Sequence, residues 1–282
     1  MLWVLFDSMI SPILLYGSEV WGFENLKLIE SFQLKYYKFI LKLKPSTPNC
    51  MVYGELGVLP ISISVKSRLL CYWSKILNAK DDKICNVLYR TAYILHINDV
   101  VKSPWISFVK SCLDDLGLSE YFISQKVDNF GHFKSLVKTR LYDQFLQDWN
   151  STVSNTSKCL VYRLYKKDFC FEEYLDKLPK SLAFYLCKFR TMNHNMPIEK
   201  GRYLDIERNH RLCHLCNSNL LGDEYHYLFE CTHFLADRRK YIQRYYFIYP
   251  NTYKLQELIN NKDISILTKL AIFCKIVLSK FR

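Results

Sequence analysis

Four residues of this chain have types and a spacing that suit one metal ion. Cys213, Cys216, His226 and Cys231, in RLCHLCNSNLLGDEYHYLFEC, read Cys-x2-Cys-x9-His-x4-Cys. Two thiolates two residues apart suit a tight turn that points both sulfurs at one centre. The His-x4-Cys half suits a short helix or turn that presents imidazole and thiolate together. Closed Cys3His sets of this kind hold a structural Zn2+ in a tetrahedron, and ligand binding then contributes directly to folding. Five of the seven histidines fall nearby (His194, His210, His214, His226 and His233), and His233 is an alternative to a thiolate as fourth ligand. No acid or base with a clear role stands beside the set, so the expected centre is structural, not catalytic. The other cysteines read differently. Cys71 in SRLLCYWSKIL, Cys187 in AFYLCKFR and Cys274 in AIFCKIV lie inside apolar helical patterns, as buried free cysteines do.

The elements that must position these ligands read as helices. Residues 24–44 place Leu26, Ile29, Phe32, Tyr36, Phe39, Ile40 and Leu43 at three- and four-residue steps, with lysines on the opposite face. Pro45-Ser46-Thr47-Pro48 ends that helix, Gly54 and Gly57 bracket a turn, and Pro60 opens the next helix. A helix of about 15 residues is expected from Asp82, and Ser103-Pro104 starts another. Further helices are expected over 104–116, 119–127, 132–149, 158–166 and 179–193. Asn-Met-Pro at 195–197 then leads into the metal segment. Phe234 to Tyr246 reads as a basic helix with Arg238, Arg239, Lys240 and Arg244 exposed, and Ile264–Leu278 as the last. No sheet pattern appears outside the metal segment, so the fold class is all-α.

With 50% hydrophobic and 16% aromatic residues the chain is a folded protein with ample core. Its cysteines show no regular secreted-type framework, and an intracellular, reducing compartment (cytoplasm or nucleus) is expected. The opening MLWVLFDSMISPILLYG is interrupted by Asp7 and Pro12 and is shorter than the roughly 20 residues of a membrane span. It reads as a buried helix, and no membrane partner is expected. Because it starts abruptly on apolar residues, a partner surface upstream is expected.

The net charge is +12, from 39 Lys and Arg against 27 Asp and Glu. Residues 27–75 carry Lys27, Lys35, Lys38, Lys42, Lys44, Lys66, Arg68 and Lys75 against Glu30 and Glu55. A second basic stretch includes Lys134, Lys138, Arg140, Arg163, Lys166, Lys167, Lys188 and Arg190. Cations interleaved with Tyr, Phe and Trp suit phosphate neutralisation with stacking on unpaired bases. Lys35, Lys38, Lys42 and Lys44 are the candidate phosphate contacts along one helix, with Arg238 and Arg239 on the backbone nearby. Tyr225, Tyr227 and Phe229 are candidate stacking residues. The alternative is a zinc-stapled helical module that binds a protein partner through an apolar surface over residues 1–23.

Two segments resemble a known family. Ile13-Leu14-Leu15-Tyr16-Gly17-Ser18-Glu19-Val20-Trp21-Gly22 looks like the Tyr-Gly-x-Glu-x-Trp region just after the polymerase palm in non-LTR (LINE-type) retrotransposon reverse transcriptases. The basic helix that follows and Met51-Val52-Tyr53-Gly54-Glu55-Leu56-Gly57 are similar to that family's thumb and post-thumb region. Gly222, Glu224, His226 and Cys231, after Cys-x2-Cys, look like its C-terminal zinc knuckle. The resemblance touches about residues 9–78 and 205–245. It implies a thumb-like helical region over 1–78, a helical connector over 79–200 and a zinc-knuckle region with terminal helices over 201–282. The implied partners are RNA or an RNA/DNA primer–template and an upstream polymerase domain.

The chain departs from the family's catalytic pattern. A reverse transcriptase needs paired palm aspartates to hold two divalent metals about 4 Å apart. Asp81-Asp82 and Asp114-Asp115 lack both the aromatic neighbour and the strand context. No endonuclease constellation is visible. The expectation is a nucleic-acid-binding C-terminal portion that is not an enzyme on its own.

Overall fold

The structure, a computed structural model, describes residues 2–281, with side chains from residue 4 onward. Met1 and Arg282, at the ends of the expected segments, lie outside the described residues. About 68% of the chain is helical. Among the described residues there is no strand, only the isolated antiparallel bridges Leu56–Phe171 and Leu212–Leu221. The fold is all-α.

The chain divides into two compact units, each built from two stretches of sequence. Residues 1–36 and 59–150 form the first, and residues 37–58 and 151–282 the second. These units cut across the segment boundaries expected at 78 and 200. A unit is defined by what packs together, and the Asn49–Leu56 helix has its partners more than 100 residues downstream.

The first unit is built on the Ile61–Leu77 helix. Its Leu69, Leu70, Trp73 and Ile76 meet Tyr89, Ile106, Val109, Leu113, Phe122, Phe133, Val137 and Leu141 in one buried cluster. The indole Nε1 of Trp73 donates to Tyr89 OH at 2.7 Å, and that hydroxyl donates to Gln125 Oε1 at 2.7 Å. The large buried rings thus keep their polar atoms satisfied. Ser103 caps the Pro104–Asp115 helix by accepting from Ile106 N–H at 3.4 Å, with Pro104 in the first turn, as the Ser-Pro step implies.

The amino-terminal stretch is helical but not buried. Phe6 and Leu15 face inward, whereas Val4, Leu5, Met9, Ile13 and Tyr16 are exposed. One face of a single helix packs on the unit and the other is left open, although both are apolar in composition. Gly17 follows with φ +64°, a left-handed turn that lets Trp21 Nε1 reach back to donate to Tyr16 O at 2.9 Å. The Tyr-Gly-x-Glu-x-Trp stretch is therefore a closed turn.

In the second unit the Lys180–Arg190 and Ile264–Ser279 helices pack side by side, burying Ala183, Leu186 and Cys187 and Leu270, Phe273, Cys274 and Val277. Several expected helices end early. The first amphipathic helix stops at Ile40, where Lys42 takes φ +54° and Leu43 N–H bonds Lys38 O at 2.8 Å. This is a Schellman-type end with lysine where glycine is usual. Over 158–166 only the short turns Ser157–Cys159 and Tyr162–Tyr165 form. The Phe234–Tyr246 pattern breaks at extended Ile242, which buries its side chain between helices Leu235–Tyr241 and Arg244–Phe247.

Candidate metal centre

The four expected ligands converge in the second unit, each brought there by local backbone. Arg211 O accepts from Gly222 N–H at 2.9 Å, and Leu220 O accepts from Cys213 N–H at 2.8 Å. This closes a short hairpin that carries Cys213 and Cys216. Residue 222 has no room for a side chain: a Cβ there would lie 2.7 Å from Pro197 and 2.9 Å from the Tyr227 hydroxyl. His226 and Cys231 bracket a wide helical turn, Cys231 N–H donating to His226 O at 2.8 Å. In an α-helix, residues five apart point about 140° away from each other. The i-to-i+5 bond of a π-type turn puts them on one face. The x4 spacing and the wide turn are thus the same fact.

The ligand atoms of Cys213, Cys216, His226 and Cys231 all lie within 4.8 Å of one another. The Cys213 sulfur is 3.6 Å from that of Cys216 and 3.9 Å from that of Cys231, and the Cys216 sulfur is 3.3 Å from His226 Nε2. The thiols stand where thiolate ligands would. A tetrahedron with metal–sulfur bonds near 2.3 Å and metal–nitrogen bonds near 2.0–2.1 Å has edges of about 3.8 Å between sulfurs and about 3.5 Å from sulfur to nitrogen. The group fits a metal ion. His233 is not part of it: its side chain is exposed and its ring lies edge-on to Phe234 at 4.9 Å. The fourth residue of the group is Cys231.

Groups behind the ligands fix their orientation. His226 Nδ1 lies 3.4 Å from Glu230 Oε2, which leaves Nε2 to face the sulfurs. Leu215 N–H points at the Cys213 sulfur at 3.4 Å, and His226 N–H donates to Asp223 at 2.9 Å. Burial works to raise the Cys216 thiol, but hydrogen bonds from Ser218, Cys213 and His226 together outweigh it. They bring the thiol down to about 6. Cys231 is pushed up to about 12 by burial and by the neighbouring Cys213. Three of the ligands are buried and Cys216 is half-buried, so the protein closes the site on nearly all sides.

Arg238 is the residue that composition misplaces most. It is 2% exposed, and its guanidinium donates to Leu228 O at 2.8 Å, Tyr227 O at 3.2 Å and Cys231 O at 2.9 Å. Those carbonyls belong to the turn that presents His226 and Cys231. Arg238 is thus a clamp on the turn that carries His226 and Cys231 and not a phosphate contact, since its side chain is buried and both Nε and Nη2 are engaged by that turn. Tyr227 and Phe229 are likewise core residues, at 0% and 3% exposure, and cannot stack on a base. Tyr225 is half-buried, edge-on to Phe229 at 5.3 Å. Glu224 pairs with buried His194 at 2.7 Å, and His194 Nδ1 accepts from Met196 N–H at 3.4 Å, so Nε2 holds the proton that Glu224 receives. Sequence reading missed this pair because the two residues lie 30 apart.

The remaining candidate cations are spread out. Lys35 is exposed on the Leu26–Ile40 helix in the first unit, and Arg239 is exposed in the second. Lys38 is half-buried and donates to Pro45 O and Asn49 Oδ1, both at 2.8 Å; burial and nearby Lys158 lower its pKa, while Cys50 acts against them. Lys42 and Lys44 lie beyond the helix end. Lys42 sits 4.8 Å over the Phe184 ring, and Lys44 donates to Asn195 at 2.6 Å. The expected single helical row therefore stops at Lys38. The paired aspartates are surface features: Asp81 bonds Arg90 at 2.7 Å, and Asp114 and Asp115 are exposed at a helix end. Among the described residues no helix is long and apolar enough to cross a membrane.

Comparison with protein-family models, with curated proteins and with solved structures gives no match.

Proposed function

We propose that this chain is a zinc-stapled, all-α nucleic-acid-binding module, equivalent to the portion of a LINE-type reverse transcriptase beyond its catalytic palm. The observation that carries the reading is the closed Cys3His group at the place where the resemblance puts a zinc knuckle. Its sulfur-rich, nearly closed donor set selects Zn2+ over harder cations, which prefer oxygen. In that role the metal is structural: it ties the hairpin carrying Cys213 and Cys216 to the turn carrying His226 and Cys231. No open position is left for a reacting water, so hydrolysis at the metal is not part of the reading.

Nucleic acid is the favoured partner because the net charge is +12 and many of the lysines and arginines are exposed among aromatic residues. The chain is proposed to grip template RNA or a primer–template duplex alongside a polymerase domain, and not to polymerise by itself. The test is a fluorescence-anisotropy titration of the zinc-loaded chain with single-stranded RNA at several salt concentrations. Tight binding that weakens steeply with salt supports the reading. No binding by a folded, zinc-containing sample at low salt removes it.

A second reading is favoured by one observation, the exposed apolar face made by Val4, Leu5, Met9, Ile13 and Tyr16. A contiguous face of this kind marks association with another protein. Binding of that type would be nearly independent of salt, and the same titration separates the two.

A further inference from the structure

Parts of the two basic stretches of the sequence, Lys66–Lys75 and Lys134–Arg140, meet in the first unit. Helices Ile61–Leu77 and Phe130–Asn155 wall a cleft of about 800 Å³. Arg68 and Lys75 project from one wall, Lys134 and Lys138 from the other. Along the second wall the lining residues run Phe130, Lys134, Lys138, Tyr142, at four-residue steps that place cations between aromatic rings over about 18 Å of helix. Lys75 Nζ lies 5.6 Å from the Phe130 ring, so cation and ring from opposite walls share one end. Glu19 is the one carboxylate among the lining residues; it is 3.9 Å from Arg68 and leaves the lysines uncompensated.

Two further features define what fits. Cys71, on the first wall, has its thiol pushed up by burial while Lys134, Lys138 and Lys75 all pull it down, so the three ammonium groups act on the same space. The floor is apolar, with Leu15, Leu59 and Ile63, and the three lysines around it are exposed. A ligand suited to this cleft has negative charges along its length and flat apolar groups between them. The volume lies in the range of sites that hold one small ligand, enough for a stretch of a few nucleotides. A basic trough with interleaved rings is the general means of holding an unpaired strand.

We propose that this cleft seats a short single-stranded stretch of nucleic acid, with phosphates along Arg68, Lys75, Lys134 and Lys138 and bases against Phe130 and Tyr142. This rests on the nucleic-acid reading above and adds its place and its strandedness. The candidate cations Lys38 and Lys44 are engaged by their own unit, whereas these lysines face a hollow.

The test compares two charge-matched double variants of the full zinc-loaded chain, Lys134→Glu/Lys138→Glu in the cleft and Lys80→Glu/Lys110→Glu at exposed positions outside it. Binding of a labelled single-stranded RNA of about 12 nucleotides is followed by anisotropy at several salt concentrations, with a duplex and a free nucleoside triphosphate as competitors. The cleft pair is expected to weaken binding at least about tenfold and to lower the salt slope by about 1.4, the single-strand value for two phosphates. The outer pair is expected to change affinity less than about threefold, as for general charge alone. Tyr142→Ala, at a side chain already 40% exposed, is expected to weaken the single strand about fivefold or more and leave any duplex binding unchanged. Equal losses in the two pairs, or none in either, overturn the cleft while leaving the nucleic-acid reading in place. A duplex or a free nucleotide that competes as well as the single strand overturns the assignment of an unpaired strand. A wild-type chain that binds no RNA at the lowest salt overturns the nucleic-acid reading and the cleft with it.

Discussion

Glu55 and Arg190, 135 residues apart, meet as a two-pronged ion pair with neither side chain exposed: Nε to Oε2 at 3.0 Å and Nη2 to Oε1 at 3.1 Å. Glu172 adds a second carboxylate to Arg190 at 2.9 Å and takes Lys166 at 2.5 Å, so half-buried Glu172 joins the buried Arg190, Glu55 and Lys166 in one network. Tyr174 OH donates to Glu55 at 2.5 Å, and the rings of Tyr165 and Tyr174 lie 4.9 and 5.2 Å from the guanidinium. Through Glu55, the Asn49–Leu56 helix is fastened to the Lys180–Arg190 helix. The Tyr-Gly-Glu-Leu-Gly stretch is thus a structural anchor of the second unit.

Removing Glu55 leaves buried Arg190 with Glu172 as its one remaining carboxylate among the described residues. Glu55→Ala should cost about 3–5 kcal/mol, read as a shift in the urea unfolding midpoint. Because Arg190 and Glu55 share one network, Glu55→Leu/Arg190→Met should cost clearly less than the sum of its single changes. Additive losses would show that the two residues do not act as a pair.

Metal removal should act on the second unit alone. Structural zinc supplies on the order of 10 kcal/mol to the segments it ties, so Cys213→Ser, His226→Ala or a strong chelator should abolish bound metal and lower the unfolding temperature. His233→Ala should leave metal content at one ion per chain, since its ring is turned to Phe234. Elemental analysis with thermal unfolding decides both. Loss of metal in His233→Ala would move the fourth ligand away from Cys231.

Adjacent arginines should behave oppositely. Arg238→Met removes the donors to three backbone carbonyls of the turn that carries His226 and Cys231 and should cost on the order of 3 kcal/mol. Arg239 is exposed, and Arg239→Ala should leave stability within about 0.5 kcal/mol. Chemical unfolding of the two variants side by side checks this. Equal stabilities would show that the clamp contributes nothing.

What could be read from the residues was whatever depends on close neighbours. Cys213, Cys216, His226 and Cys231 span 19 residues, and a hairpin and one wide turn suffice to gather them. The Pro104–Asp115 and Ile264–Ser279 helices follow from their caps and apolar period within a residue or two. Burial decided elsewhere was not legible. Arg238 sits in a run of cations that reads as a solvated face, yet the carbonyls of a neighbouring turn need its donors. Lys42 gave no sign of a helix end because lysine rarely takes a positive φ. Glu55 and Arg190 looked like members of two separate charge tallies, and only the packing of distant segments makes them a pair.

The cysteines provide a readout of both the fold and the metal. Cys85 and Cys170 are exposed and should react with a thiol reagent within seconds to minutes at mildly alkaline pH. Cys112 and Cys187 are buried, and burial pushes their thiols up to about 11 and about 12, so both access and thiolate fraction protect them. Cys274 is buried with its thiol raised for the same reason. Half-buried Cys71 should react at an intermediate rate. Cys213, Cys216 and Cys231 should be silent while metal is bound, and chelation should expose them. The fast-reacting count is therefore expected to rise from two, Cys85 and Cys170, to five on chelation, with Cys112, Cys187 and Cys274 unchanged. A chelator that leaves the count at two would show that these thiols hold no removable metal. A count that climbs to the full eleven would mean that the metal supports the core of both units, and not the hairpin and turn alone.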